Sequence, residues 1–262
     1  DRGRARSALA VLLLCAAALW VRLASIDFAL PFFQESDGHV FRQIHLLGLE
    51  ELTPELWKES SIYPHLLARL VTLFPDPLAD PPNPDGMTLA EHLAWAGRLS
   101  VLVRSIVAAA SVLLIPATWL LARRLFTPGW SLFAAAACAL SLLNLQFGQM
   151  ARPHAFAAPF SVLAVAAAVR LRRKPDLAAY LLCGATGGLA VASLQSGVAV
   201  LLPFAAAFLL RERAERRWLE PKLLIPLVLL ALSVRVFWPF AFVSVPGVET
   251  GFAGGTLRVS DQ

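Results

Sequence analysis

The sequence predicts an all-α fold: a polytopic transmembrane helix bundle with a long extracytoplasmic first loop that contains short interfacial helices. Three observations carry this. Of 262 residues, 58% are hydrophobic and the mean hydropathy is +0.65, whereas a soluble domain is about 45–50% apolar. The excess is gathered into runs close to the ~20 residues that cross a bilayer as helix. Basic residues collect at the ends of those runs, as membrane topology requires. The net charge of +5 is therefore no argument for a nucleic-acid partner.

Seven spans follow in order: 7–26, 99–121, 128–147, 154–171, 177–193, 197–210 and 223–243. The first follows a basic stretch, as in a signal peptide. It lacks a small-residue cleavage site of A-x-A type and reads as a retained anchor. The fifth and sixth are short and meet at Ser193-Leu194-Gln195-Ser196, as two tilted helices or a broken pair. A cytoplasmic N-terminus places 14 of the 23 basic residues in inside segments, among them Arg123, Arg124, Arg170, Arg172, Arg173 and Lys174. It also places 13 of the 18 acids outside or at outer helix ends. The positive-inside rule thus predicts seven crossings of a plasma (inner) membrane. Cys15, Cys138 and Cys183 lie inside apolar spans without zinc or disulfide spacing, as small hydrophobes do. Residues 1–262, which start on Asp1 and stop at Gln262, read as the N-terminal part of one transmembrane domain, with its C-terminal part expected beyond.

Residues 27–98 form the outside loop, with eleven acids from Asp27 to Glu91. Loops this long are functional or disordered. Val40, Phe41, Ile44 and Leu47 have helical spacing, and Thr53-Pro54-Glu55 resembles a helix start. Residues 63–74 are apolar but too short to cross, which suits an interfacial or re-entrant helix. A Pro-rich linker over 75–86 precedes Thr88-Leu89-Ala90-Glu91, whose capping-box spacing opens the helix into the second span.

The loop carries the first chemical candidates. Glu35 and Asp37 could act as general base on an incoming hydroxyl or amine, hold a divalent metal, or remain solvated carboxylates or caps. Arg98 and Arg152 lie at outer helix ends. Arginine there can grip a lipid-linked phosphate bidentately or simply snorkel to the interface. Arg104 and Arg235 lie deeper and need a partner or a watery cavity. His39, His45, His65, His92 and His154 all fall on the outer side, without metal-site spacing. Pro64 restricts Tyr63 in a turn before His65. Gln195 either caps a helix end or lines a cavity.

Taken in order, these residues resemble the N-terminal half of a C-type membrane glycosyltransferase of the protein O-mannosyltransferase and aminoarabinose-transferase type. The acidic motif of that family is matched by Glu35-Ser36-Asp37-Gly38, and its Tyr/His-Pro-x-Leu element by Tyr63-Pro64-His65-Leu66. The Ala-x-Arg-Leu helix opening is matched by Ala96-Gly97-Arg98-Leu99. The inside Ala-Arg-Arg-Leu-Phe occurs at 122–126, and Ala-Arg-Pro-Tyr-Ala is matched by Ala151-Arg152-Pro153-His154-Ala155. Gly188-Leu189-Ala190 with Ser196-Gly197 completes the pattern. Gly38 stands where a second acid is often found, His154 replaces the usual Tyr, and Gln195 replaces a frequent Lys.

The resemblance implies transfer of a sugar from a polyprenyl-phosphate donor to a protein, lipid or glycan acceptor of the cell envelope, on the extracytoplasmic face. Asp37 would be the base, with Glu35 second. Arg152 and Arg98 would hold the donor phosphate. His39, Arg42, Tyr63, His65, His154 and Gln195 would line the substrate pocket. The resemblance implies no definite cofactor, and a divalent metal fits it. The rival readings are a transporter or flippase, which needs polar groups at mid-span on several helices, and a non-catalytic assembly subunit.

Overall fold

The computed structural model describes residues 2–28, 30, 88–210 and 221–237, and all regular structure among them is helical. Glu35, Asp37, His39, Arg42, Tyr63 and His65 lie outside the described residues.

Helix α1 spans Arg2–Leu23. Helix α2, Leu89–Val112, opens on the expected capping box: the Thr88 amide donates to Glu91 Oε2 at 2.9 Å, and the Glu91 amide donates to Thr88 Oγ1 at 3.4 Å. It runs through the helical residue Leu113 into α3, Leu114–Leu125. The apolar run 128–147 folds as two helices, α4 (Pro128–Ala139) and α5 (Leu142–Gln149), bent by 49°. Ser141 sits in extended conformation at the bend, and its hydroxyl accepts from the Asn144 amide, restarting the helix. Helix α6 (His154–Arg173) carries Pro159 within it, and α7 follows over Leu177–Ser193. A 3-10 helix over Gln195–Val200 leads to α8, Leu201–Leu209. A 3-10 turn at Pro221–Leu223 precedes α9, Leu224–Phe237.

Three apolar stretches are long enough to cross a membrane alone: Ala5–Leu23, Leu93–Leu125 and His154–Arg173. The α4–α5 pair makes a fourth if it counts as one broken span. The outward surface is apolar, with Leu12, Leu13, Trp20, Leu142, Leu202 and Val236 exposed. Such a surface suits lipid, where helices satisfy their own backbone groups. Inside, α6 packs on α3 and α7, α7 on α9, and α1 on α4.

One end of the bundle gathers Arg123, Arg124, Arg170, Arg172 and Arg173, while Arg22, Arg98, Arg104 and Arg152 lie towards the other. Gly3 and Ser7 of α1 meet Arg123 and the start of α4 at one end. Arg124 donates to the Ala166 carbonyl of α6, and Arg170 pairs with Asp176 at 2.9 Å. The opposite end gathers the close of α1, the start of α2, the α5–α6 turn and the α7–3-10 junction.

Asp176 supplies a pH test at the basic end. Its carboxylate accepts from Arg170 and from the Ala179 amide at 2.8 Å, which caps α7. The Arg170 hydrogen bond, then the amide, hold its pKa below the usual carboxylate value of 3.8. A depressed folded pKa means that the stabilisation is complete above the unfolded value. It is lost as pH falls through the folded one. Hydrogen exchange at the Ala179 amide should therefore lose protection below about pH 4 relative to mid-helix amides. Asp176→Asn, which retains a capping oxygen, should remove that pH dependence.

Candidate functional site

The end of α1 is tied down by two buried arginines. Arg22 is fully buried. Its Nε donates to Ser111 Oγ at 2.9 Å and its Nη1 to the Ala18 carbonyl at 2.8 Å. Arg104 Nη1 donates to the Ile26 and Phe28 carbonyls at 3.0 and 2.9 Å. The two carbonyls are partners of Arg104 that the sequence alone left unnamed. The chemistry is that of a helix C-terminus, where free carbonyls and the negative dipole end attract a cation. A buried guanidinium without such bonds would cost several kcal/mol. Arg235 is exposed in the last turn of α9.

Helix α5 closes the same corner. Gln149 Nε2 donates to Ser25 Oγ at 2.9 Å. A Cβ on Gly148 would stand 2.7 Å from Arg22 Nε and 2.5 Å from Ser111 Oγ, so a side chain here would force the Arg22–Ser111 pair to shift. The root of the acidic loop is thus locked against the helix that leads into Arg152.

Arg152 is half-buried in the turn between α5 and α6, with its guanidinium carbon 5.9 Å from the Phe147 ring centre. His154 stacks on the same Phe147 ring, with ring centres 4.8 Å apart and an inclination of 15°. The Nδ1 of His154 is buried and has no hydrogen-bond partner among the described residues. The His154 residue lines a cavity of about 360 Å³ with Asn144, Phe147, Ser161, Ser196 and Gly197. Gln195 begins the 3-10 helix beside this cavity. The structure therefore groups Arg152, His154 and the backbone at Gln195. Sequence reasoning missed Phe147 and Asn144. Their only signal was a polar and an aromatic residue near a break in an apolar run.

Arg98 stands apart from that cavity. It is exposed on α2 and lines a groove of about 600 Å³ whose other walls include Leu30, Leu93, Gly97, Val101 and Leu102. One guanidinium on an apolar groove can bind an anionic head whose tail lies on the hydrocarbon wall. The chain neighbours of Arg98 and Arg152 share one buried cluster, which holds Leu99, Val103 and Val107 together with Ala151, Ala155 and Phe156. Among the described residues, no group of three His, Cys, Asp or Glu could hold a metal ion.

A family model described as dolichyl-phosphate-mannose-protein mannosyltransferase matches residues 87–240. That range holds Arg98, the Arg152–His154 turn and Gln195. Comparison with curated proteins and with solved structures gives no match.

Proposed function

Because this chain belongs to the dolichyl-phosphate-mannose-protein mannosyltransferase family, a family of membrane glycosyltransferases, we propose a specific reaction for it. A sugar passes from a polyprenyl-phosphate donor to an acceptor hydroxyl or amine on the extracytoplasmic face. The acceptor forms a bond to the anomeric carbon, the bond from that carbon to phosphate breaks, and polyprenyl phosphate leaves. Asp37 takes the acceptor proton, with Glu35 as the secondary carboxylate. Arg152 and Arg98 stabilise the phosphate as it gains charge. His39, Arg42, Tyr63, His65, His154 and Gln195 complete the pocket.

The observation that carries this reading is the family match over the part of the chain that holds both arginines. The Arg98 groove supports it, since an apolar wall with one cation suits a lipid phosphate. The gathering of Arg123, Arg124, Arg170, Arg172, Arg173 and Lys174 at the end where α1 begins supports an N-terminus in the cytoplasm, and seven crossings of a plasma (inner) membrane are part of the same proposal. Under that topology, Arg98, Arg152 and the acidic loop share the outer face.

The test is transfer of labelled sugar from a synthetic polyprenyl-phosphate sugar, in membranes carrying the full-length gene product. Arg98→Gln and Arg152→Gln should each lower kcat/KM for the donor about 10- to 100-fold, the loss expected for one charge-assisted hydrogen bond. Unchanged donor kinetics in both variants would remove the arginines from the site. Absence of transfer by the unaltered protein, with acceptors of all three classes, would sink the reaction itself.

A further inference from the structure

The basic end of the bundle holds a second pocket, of about 350 Å³, between α1, α3 and α4. Its walls include Gly3, Ser7, Trp119, Arg123, Phe126 and Ser131. It lies at the opposite end of the helices from Arg98 and Arg152, and the glycosyl-transfer reading gives it no work.

Four features define its chemistry. Arg123 is exposed, and its guanidinium carbon lies 4.3 Å over the Trp119 ring centre, a cation–π contact that holds the charge at the pocket wall. Among the described residues, no carboxylate pairs with it. Trp119 is only 8% exposed, and its indole N–H has no acceptor among the described residues. A buried N–H donor without an acceptor is costly, so a ligand oxygen would be favoured there. Finally, the rim suits the level of lipid headgroups. Phe126 and Trp130 are exposed beside it, Trp130 and Phe133 meet edge to face at 5.7 Å, and α1 carries the exposed Arg6 near its start.

We propose that this pocket binds the phosphate of an anionic phospholipid, with Arg123 and the Trp119 indole N–H as donors and the acyl chains against the exposed apolar face of α4. A basic pocket between transmembrane helices is a recurrent way to hold such a headgroup. Neutral zwitterionic lipid lacks the net charge that an unpaired arginine favours.

The experiment is native mass spectrometry and thermal unfolding of the full-length protein in neutral detergent, with added phosphatidylglycerol, phosphatidylcholine or inorganic phosphate. Phosphatidylglycerol should raise Tm and remain bound. Phosphatidylcholine should do neither. Arg123→Gln should weaken phosphatidylglycerol binding at least tenfold, and Trp119→Phe, which keeps an aromatic ring but removes the N–H, should weaken it severalfold. Arg172→Gln changes an exposed arginine of the same end that does not line the pocket, and should leave binding intact. The proposal is overturned if Arg172→Gln loses as much as Arg123→Gln, because the attraction would then be diffuse surface charge. Equal stabilisation by phosphatidylcholine would overturn it too, as would a full Tm shift from inorganic phosphate alone, which would make the ligand a free anion. Sugar transfer plays no part in the readout, so this result stands or falls independently of the catalytic assignment.

Discussion

Replacing Asp37 with Asn should reduce sugar transfer by roughly 10²- to 10⁴-fold, the usual contribution of a general base. The substitution keeps the size of the side chain but removes its negative charge and its capacity to accept a proton. Donor binding should persist, so kcat should fall far more than the donor KM rises. Glu35→Gln should lose less, because the proposed mechanism makes Glu35 the secondary carboxylate. The measurement is labelled-sugar transfer in membranes, normalised to protein abundance, over a range of donor concentrations. Normal turnover by Asp37→Asn would show that the base lies elsewhere. A parallel rise of KM without loss of kcat would make Asp37 a binding residue.

The second large effect is structural. Gly184 and Gly188 lie one helical turn apart on the face of α7 that meets α9. A Cβ on Gly188 would stand 2.6 Å from the Ser233 Cβ and 3.0 Å from the Leu230 Cα. On Gly184 it would stand 2.7 Å from the Leu229 Cβ and the Pro226 Cα. Both encounters involve backbone or the base of a side chain, which cannot swing away. Without a hydrophobic drive between helices in lipid, such close backbone approach is what holds them together. Gly188→Val should therefore cost about 1–3 kcal/mol through overpacking, read as a lower unfolding temperature in detergent. Gly187→Ala is the control. Its Cβ would meet Val200 Cγ2 at 3.4 Å, an ordinary contact, and its stability should change by less than about 0.5 kcal/mol. Equal losses at the two positions would show that α7 dislikes any substitution there, and that the α9 contact is not the cause.

Much of the architecture was legible because it rests on local chemistry. Apolar runs reveal helices, since a backbone in lipid must satisfy its own hydrogen bonds. The α2 cap was legible because Thr88 and Glu91 sit three residues apart and bond to each other. The broken α4–α5 helix was not legible, because the run 128–147 stays mostly apolar across the break and its bend turns on one serine restarting the helix. Arg104 was visibly misplaced in an apolar span, but its partners are carbonyls of Ile26 and Phe28, far away in the chain. The stack of Phe147 on His154 likewise needs two helices to meet.

By itself, then, the sequence determined the helical membrane class, the order of the apolar runs, the clustering of basic residues and the motifs that resemble a glycosyltransferase. These follow from composition and from contacts within a few residues. Only the tertiary structure decided that Arg22, Ser111 and Gly148 lock three helices at one corner, that Arg98 and His154 face different cavities, and that Trp119 and Arg123 share a pocket at the far end. Those facts depend on which helix faces meet. Helix faces in lipid are chosen by glycine-scale clearances and buried polar pairs, because the apolar surfaces themselves are nearly interchangeable.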